Sequence, residues 1–296
     1  MHERFTGLTD KQTNQKQNTG EKTMTDINSG NLDAAIEEGG QTIKRDFLKP
    51  KDTMVVTGCA RGFGRAIALR LAREGANLAV WDVIDDEGEE IATLCRDLGV
   101  EAEFFHCAMG DIDDIQKAAA QTLKRFGTVY GVVNNAGINP RESVMDLKPE
   151  TWDRTLNINL RGTVFCSQAF APQMMTENRG AIINLASGRA IEATPNGIHY
   201  AASKAGIVSA TKTMAAEWGP VIRVNAIIPA ASETRQPLEA AGVTLEALRE
   251  RGRSMPMGRV GHPDDIAGMV VLLLSKDAGF ITGQAIACNG GRIMLP

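Results

Sequence analysis

A doubly wound α/β fold, with about seven parallel strands covered by helices on both faces of a single domain, is predicted by three observations. Short apolar runs alternate with helical stretches from about residue 53 onward, a glycine-rich turn closes the first run, and an acidic residue closes the second. The runs are Met54-Val-Val-Thr57, Asn77-Leu-Ala-Val-Trp81, residues 102–106, Gly131-Val-Val-Asn134, Ala181-Ile-Ile-Asn184, Arg223-Val-Asn-Ala-Ile227 and Ala285-Ile-Ala287. Helical stretches fall between them at residues 64–74, 86–98, 113–126, 151–176, 200–218 and 264–274. Such β-α-β-α alternation implies right-handed crossovers and a ligand crevice at the carboxyl ends of the strands. The alternation breaks once, and residues 230–263 are expected to form a lid over that crevice.

Composition removes several alternatives. A chain of 296 residues is far larger than a disulfide-stapled module, and 43% hydrophobic with 23% charged residues suits neither a disordered chain nor a coiled coil. The 32 basic residues are outnumbered by 36 acidic ones, so no basic excess exists to neutralise a phosphate backbone, and nucleic acid is not an expected partner. Apolar runs such as residues 269–274 fall far short of the roughly 18 residues that cross a bilayer. The polar N-terminal stretch lacks the apolar region of a signal peptide, so no membrane association and a cytoplasmic location are expected. Five cysteines without CxxC spacing predict reduced thiols, with no disulfide framework and no metal site.

Residues 1–50 differ from the rest. The first thirty contain only Met1, Phe5, Leu8, Met24 and Ile27 as strongly apolar side chains, too few to offset the entropy of ordering, which predicts a flexible N-terminal extension. Leu32, Ala35 and Ile36 at helical spacing predict a short docked helix near residues 31–38. The folded domain is expected over residues 51–296.

Chemistry concentrates at four places. The turn Thr57-Gly58-Cys59-Ala60-Arg61-Gly62-Phe63-Gly64 leads from a strand into a helix, where glycines let the backbone approach a pyrophosphate and the helix N-terminus offers free N–H groups. A ligand-free tight turn is the bland reading of those glycines. Asp82 ends the second strand, where a carboxylate accepts hydrogen bonds from the adenosine ribose hydroxyls. Tyr200 and Lys204 lie four apart on one helix face. A cation beside a phenol favours phenolate, and a two-unit shift needs only about 2.7 kcal/mol, so the pair can move a proton. Ser187, thirteen residues upstream, follows a strand and can anchor a substrate oxygen.

Taken in order, these motifs resemble the short-chain dehydrogenase/reductase family in its branch of roughly 250-residue, Rossmann-like enzymes, over about residue 51 to the C-terminus. The resemblance rests on the TGxxxGxG turn, Asn134-Asn-Ala-Gly137, Asn157-Ile-Asn-Leu-Arg-Gly162, Ser187, Tyr200 with Lys204, Arg223-Val-Asn225 before Pro229, Thr282-Gly-Gln284, and Gly290-Gly291. It implies an oxidoreductase that interconverts a secondary alcohol and a ketone by hydride transfer. Tyr200 would be the general acid/base and Ser187 the oxygen anchor. Lys204 would depress the phenol pKa and bind the nicotinamide ribose, and Asn159 would hold a water that connects the lysine to solvent. The implied cofactor contacts are Gly58, Arg61, Gly62, Phe63, Gly64, Asp82, Ala108, Met109, Asn135, Ala136, Gly137, Tyr200, Lys204, Pro229 and Thr234. A homotetramer built through the 151–176 and 200–218 helices is also implied.

Some positions depart from the family pattern. Ala108 stands where an aspartate commonly meets the adenine amino group, Ala230 replaces the glycine after Pro229, Ser232 replaces an apolar nicotinamide neighbour, and Ala186 replaces a serine. Asp82 favours NAD over NADP by repelling a 2′-phosphate, while Arg61 resembles a basic position that binds this phosphate in some relatives. Arg141 and Arg189 fall in loops that line the substrate pocket in the family, which suits an anionic substrate or, equally, two solvated arginines. His199 is expected to serve packing or solvation, and Cys59 to be a small filler. A non-catalytic dinucleotide sensor or scaffold is the alternative from another class, and the filled catalytic positions argue against it. The extended sugar-nucleotide epimerase branch, with its TGxxGxxG turn and longer substrate domain, does not match.

Overall fold

The computed structural model describes residues 48–234 and 244–294, all within the compact unit Asp46–Pro296. The expected extension and its helix near 31–38 lie outside the described residues. Seven strands are present: β1 (Thr53–Thr57), β2 (Asn77–Asp82), β3 (Ala102–His106), β4 (Gly131–Asn134), β5 (Gly180–Leu185), β6 (Ile222–Pro229) and β7 (Ala285–Cys288). They form one sheet in the order β3-β2-β1-β4-β5-β6-β7, and every pairing is parallel. The order reverses between β1 and β4, which share Val55 opposite Val132. In an open parallel sheet this reversal opens the ligand crevice.

Because strand side chains alternate between faces, each strand feeds two cores. Met54, Val56, Leu78, Val80 and Ile183 pack on one face with Ile67 and Leu71 of α1 (Gly62–Arg73), Ile91 of α2 (Asp85–Asp97) and Val270 and Leu274 of α8 (Pro263–Leu274). Val55, Ala79, Trp81 and Ile182 point to the other face. There they meet Ile115 of α3 (Ile112–Phe126), Phe170 and Met174 of α5 (Gly162–Thr176) and Met214 of α6 (Ile198–Trp218). Such burial, at about 25 cal/mol per Å² of apolar surface, is the main term holding the layers together. The Trp81 indole, fully buried, donates to Thr122 Oγ1 at 3.0 Å and so leaves no orphaned donor. Leu48 is also buried in the first core, so the folded unit begins slightly before residue 51.

One helix expectation is corrected. Residues 151–176 are not one helix: α4 (Pro149–Leu156) passes into a π-helical turn, Asn157–Arg161, before α5 begins. Asn159 holds that turn, its side chain tied to the backbone of Ile138 and its carbonyl accepting from Thr163 Oγ1 at 2.8 Å. The segment expected as a lid contains regular structure, with α7 (Leu245–Arg253) capped by Thr244 and a parallel bridge joining Ser232 to Gly261. Residues 235–243 of this segment lie outside the described residues. Among the described residues no helix is long and apolar enough to cross a membrane.

Candidate active site

The carboxyl ends of β1, β2, β4, β5 and β6 open into a cavity of about 1300 Å³. All the site residues anticipated from the sequence line it except Gly64 and Asn159, which support it from behind. At the sheet's centre Thr57 Oγ1 accepts from the N–H groups of Asn135 and Ala136, both at 3.1 Å. Asn135 Nδ2 donates in return to the carbonyls of Thr57 and Gly58, both at 2.9 Å. Asn135 thus clamps the end of β1 to the end of β4. A Cβ on Gly64 would lie 2.0 Å from the Gly58 carbonyl oxygen, so only glycine lets α1 start this close to the strand.

The dinucleotide end offers matched donors and acceptors. The α1 N-terminus has no side-chain cap, and its N-cap Arg61 is extended, leaving the first N–H groups and the helix dipole facing the cavity. Gly62 adopts φ +58, a conformation that glycine tolerates without strain. Asp82, almost buried, accepts from Ala60 N through Oδ2 at 2.8 Å, and through Oδ1 from Val83 N at 2.7 Å and Ile84 N at 3.1 Å. A carboxylate has about four acceptor sites, so capacity for a ribose hydroxyl remains. Uncapped N–H donors opposite a strand-end carboxylate fit a pyrophosphate and a ribose, and the residues present therefore suit a nicotinamide dinucleotide. The Arg61 guanidinium forms a two-pronged ion pair with Glu87. Ala108 lines the adenosine end with Met109, and its N–H donates to Asp114 Oδ2 at 3.3 Å.

At the other end stand Ser187, Tyr200 and Lys204. Ser187 follows β5 and caps a short 3₁₀ turn, Gly188–Ala190. Tyr200 and Lys204 are buried on α6, with the ammonium nitrogen 5.7 Å from the phenol ring centroid. Burial raises the phenol pKa above its ordinary value, while a hydrogen bond with Ser187 and the charge of Arg189 pull it down. Burial alone lowers Lys204 to about 8, and its Nζ donates to the Leu185 carbonyl at 2.6 Å. Ser187 and Arg189 therefore join Lys204, whose Nζ is 5.7 Å from the ring centroid, as groups able to favour the phenolate. Asn159, fully buried, accepts from Ile138 N at 2.8 Å and donates to Ile138 O at 2.9 Å and Ser203 Oγ at 3.1 Å. With its amide occupied in this way, Asn159 positions the Gly137–Ile138 segment beside Lys204.

Comparison with known proteins agrees with this geometry. The family model described as enoyl-(acyl carrier protein) reductase matches residues 58–292. The 3-oxoacyl-[acyl-carrier-protein] reductase FabG of Thermotoga maritima is 32% identical over 241 residues, which is 81% of this chain and 97% of that protein. The 2-(S)-hydroxypropyl-CoM dehydrogenase 3 of Xanthobacter autotrophicus is 35% identical over 82% of this chain and 97% of its own length. A solved structure assigned to the short-chain alcohol dehydrogenases, from Sinorhizobium meliloti 1021, superposes with TM-score 0.78 at 33% identity, covering 83% of this chain and 97% of the other. Levodione reductase does so with TM-score 0.78 at 30% identity, covering 82% and 98%. The chain belongs to the short-chain dehydrogenases/reductases. As in that family, it is an NAD(P)-dependent oxidoreductase.

Several residues of this short-chain dehydrogenase/reductase site were not anticipated. Asn139, Thr194, Glu192 and Arg292 also line the cavity, and Arg292 reaches Glu192 at 3.3 Å. Its place directly after Gly290-Gly291 was the available signal. His199 is fully buried with Nε2 3.0 Å from the Pro140 carbonyl, a packing role as expected. Cys59 is buried against the Val56 carbonyl, and burial pushes its thiol well up, so it is a filler and not a thiolate.

Proposed function

We propose that the protein interconverts a secondary alcohol and a ketone, with NAD preferred over NADP. The observation that carries this reading is the gathering of a buried phenol, the Ser187 hydroxyl and the Lys204 ammonium at one end of a cavity whose other end presents Asp82 and an uncapped helix N-terminus. Ser187 holds the substrate oxygen beside Tyr200. In oxidation the Tyr200 phenolate takes the hydroxyl proton, and in reduction the phenol returns it to the carbonyl oxygen. The nicotinamide, when bound, accepts or supplies the hydride at the substrate carbon. Lys204 holds the nicotinamide ribose, and Asn159 keeps the Gly137–Ile138 wall in place behind it. NAD is favoured because Asp82 brings negative charge to the place of a 2′-phosphate, while Arg61 is engaged by Glu87. The proposed setting is a cytoplasmic homotetramer assembled through the 151–176 helical segment, α4 to α5, and α6.

The test is reduced-cofactor absorbance across a panel of alcohols and ketones with both cofactors. Tyr200→Phe keeps the ring and removes the proton, so kcat should fall by about 100-fold or more. A variant keeping over about a tenth of the wild-type kcat, or cofactor binding without turnover of any panel member, overturns the assignment. The second outcome is that of a sensor or scaffold.

A further inference from the structure

The substrate half of the cavity holds a concentration of positive charge that the proposed chemistry does not use. Arg141, Arg189 and Arg292 all line it, and the acidic residue beside them is Glu192, paired with Arg292. Among the described residues, neither Arg141 nor the Arg189 guanidinium has a hydrogen-bond or ion-pair partner. Arg189 Nη1 is buried without an acceptor, held so close to Gly197 that a Cβ there would lie 2.5 Å from it. The neighbouring Asn139 Oδ1 is likewise buried and unpartnered. Burial, then Arg141 and Arg292, hold the Arg189 guanidinium below its ordinary pKa, while Tyr200 opposes them. In a chain of net charge −4 this local excess is not a general property of the surface. Arg141 is exposed, but Arg189 is a partly buried cation without a counter-charge, which is unfavourable until an anion arrives, and a guanidinium fork is shaped to bind a carboxylate through two parallel bonds.

Position then limits the ligand. The Arg189 guanidinium carbon is 5.8 Å from the Tyr200 ring centroid, so a group bound to it lies close to the reacting carbon and not at the end of a long chain. We infer that the substrate is a small oxo or hydroxy acid whose carboxylate is held by Arg189 and Arg141 while its carbonyl or hydroxyl faces Ser187 and Tyr200. The inference rests on the alcohol–ketone reading and adds the substrate class.

The test compares acetoacetate with methyl acetoacetate, which share the ketone and differ in charge. Because Arg189 also acts on the Tyr200 phenol, the readout is the ratio of the two kcat/KM values, from which any common effect on proton transfer cancels. Wild type should favour the acid by at least about 10-fold, the size of one charged hydrogen bond, and Arg189→Met should bring the ratio close to one. A wild-type ratio near one, or a preference that survives Arg189→Met, overturns the inference. If Arg189→Met does not fold, Arg141→Met and Gly197→Ala serve instead, the latter displacing the guanidinium with its charge intact; both should reduce the ratio severalfold. Calorimetric titration of the full chain with malonate in the presence of NAD separates this inference from the chemistry it rests on. Binding weakened at least about 10-fold by Arg189→Met, with no ketone reduced, supports the anion site and defeats the alcohol–ketone reading. Malonate binding that is absent, or indifferent to the variant, defeats the anion site even when ketones turn over.

Discussion

Replacing Lys204 with Met should make the protein more stable and less active, with a pH dependence that identifies the cause. Lys204 is 4% exposed, and burial lowers its ammonium from 10.5 to about 8. A difference of about 2.5 units, at 1.36 kcal/mol each, means that keeping the charge in the folded state costs about 3 kcal/mol at neutral pH. The bond from Nζ to the Leu185 carbonyl offsets about 1 to 2 kcal/mol of any gain on removal. Methionine fills a similar volume, so Lys204→Met should be more stable by about 1 to 2 kcal/mol near pH 7. Between pH 8 and 10.5 the unfolded chain retains the lysine proton that the folded chain has released, so wild-type stability rises through this window relative to the variant. Because the rise through the window, about 3 kcal/mol, exceeds the starting gap, the two should cross at about pH 9, and wild type should be the more stable by about 1 to 2 kcal/mol at pH 10.5. Urea unfolding followed by tryptophan fluorescence from pH 6.5 to 10.5, on both proteins without cofactor, measures the difference directly. A variant less stable at pH 7, or a stability difference that stays constant across the window, would refute the reasoning.

Asp82→Asn keeps an oxygen for the Val83 and Ile84 N–H groups while removing the charge, and should lower the NAD:NADP ratio of kcat/KM by about 5-fold to several hundred-fold. A wild type that prefers NADP, or an unchanged ratio in the variant, counts against the cofactor assignment. Gly64→Ala puts a methyl 2.0 Å from the Gly58 carbonyl oxygen and 2.6 Å from Asn135 Nδ2, and should weaken NADH binding at least about 10-fold in a fluorescence titration. Asn159→Ala strands the Ile138 N–H and C=O, and should cost about 2 to 4 kcal/mol in urea unfolding. Alcohol oxidation should accelerate as pH rises toward the elevated phenol pKa, and ketone reduction should slow over the same range, as paired pH–rate profiles would show.

The central strands were legible because each is a short apolar run buried on both faces, as Met54, Val55 and Val56 are. The π-helical turn was not. It is a five-residue segment inside an otherwise helical run, and the bonds that Asn159 makes there to Ile138, 21 residues away, are tertiary contacts that local spacing does not show. Chain separation also explains Arg61: its partner Glu87 lies on α2, and no local pattern distinguishes that pairing from one with a phosphate. Arg292 joins the cavity only because the segment after β7 returns across the mouth that the segment after β5 forms.

The distribution of positive charge is where spacing was least informative, and it changes how the site should be probed. Four-residue separation places Lys204 and Tyr200 on one helix face, which makes the ammonium the natural candidate for stabilising phenolate. Distance does not choose between the two cations, since Lys204 Nζ lies 5.7 Å and the Arg189 guanidinium carbon 5.8 Å from the phenol ring centroid, but Nζ is engaged by the Leu185 carbonyl whereas Arg189 Nη1 has no acceptor. This difference in engagement is the basis for proposing that the two cations do separable work. The proposed division gives Lys204 to the cofactor side of the cavity, and Arg189 to the phenol and the substrate. Substituting Arg189 should therefore change both the pH profile and the substrate preference, whereas substituting Asp82 should change only the choice of dinucleotide. If Arg189→Met altered NAD affinity as strongly as acetoacetate turnover, this division would be wrong, and the cavity would have to be treated as one electrostatic unit.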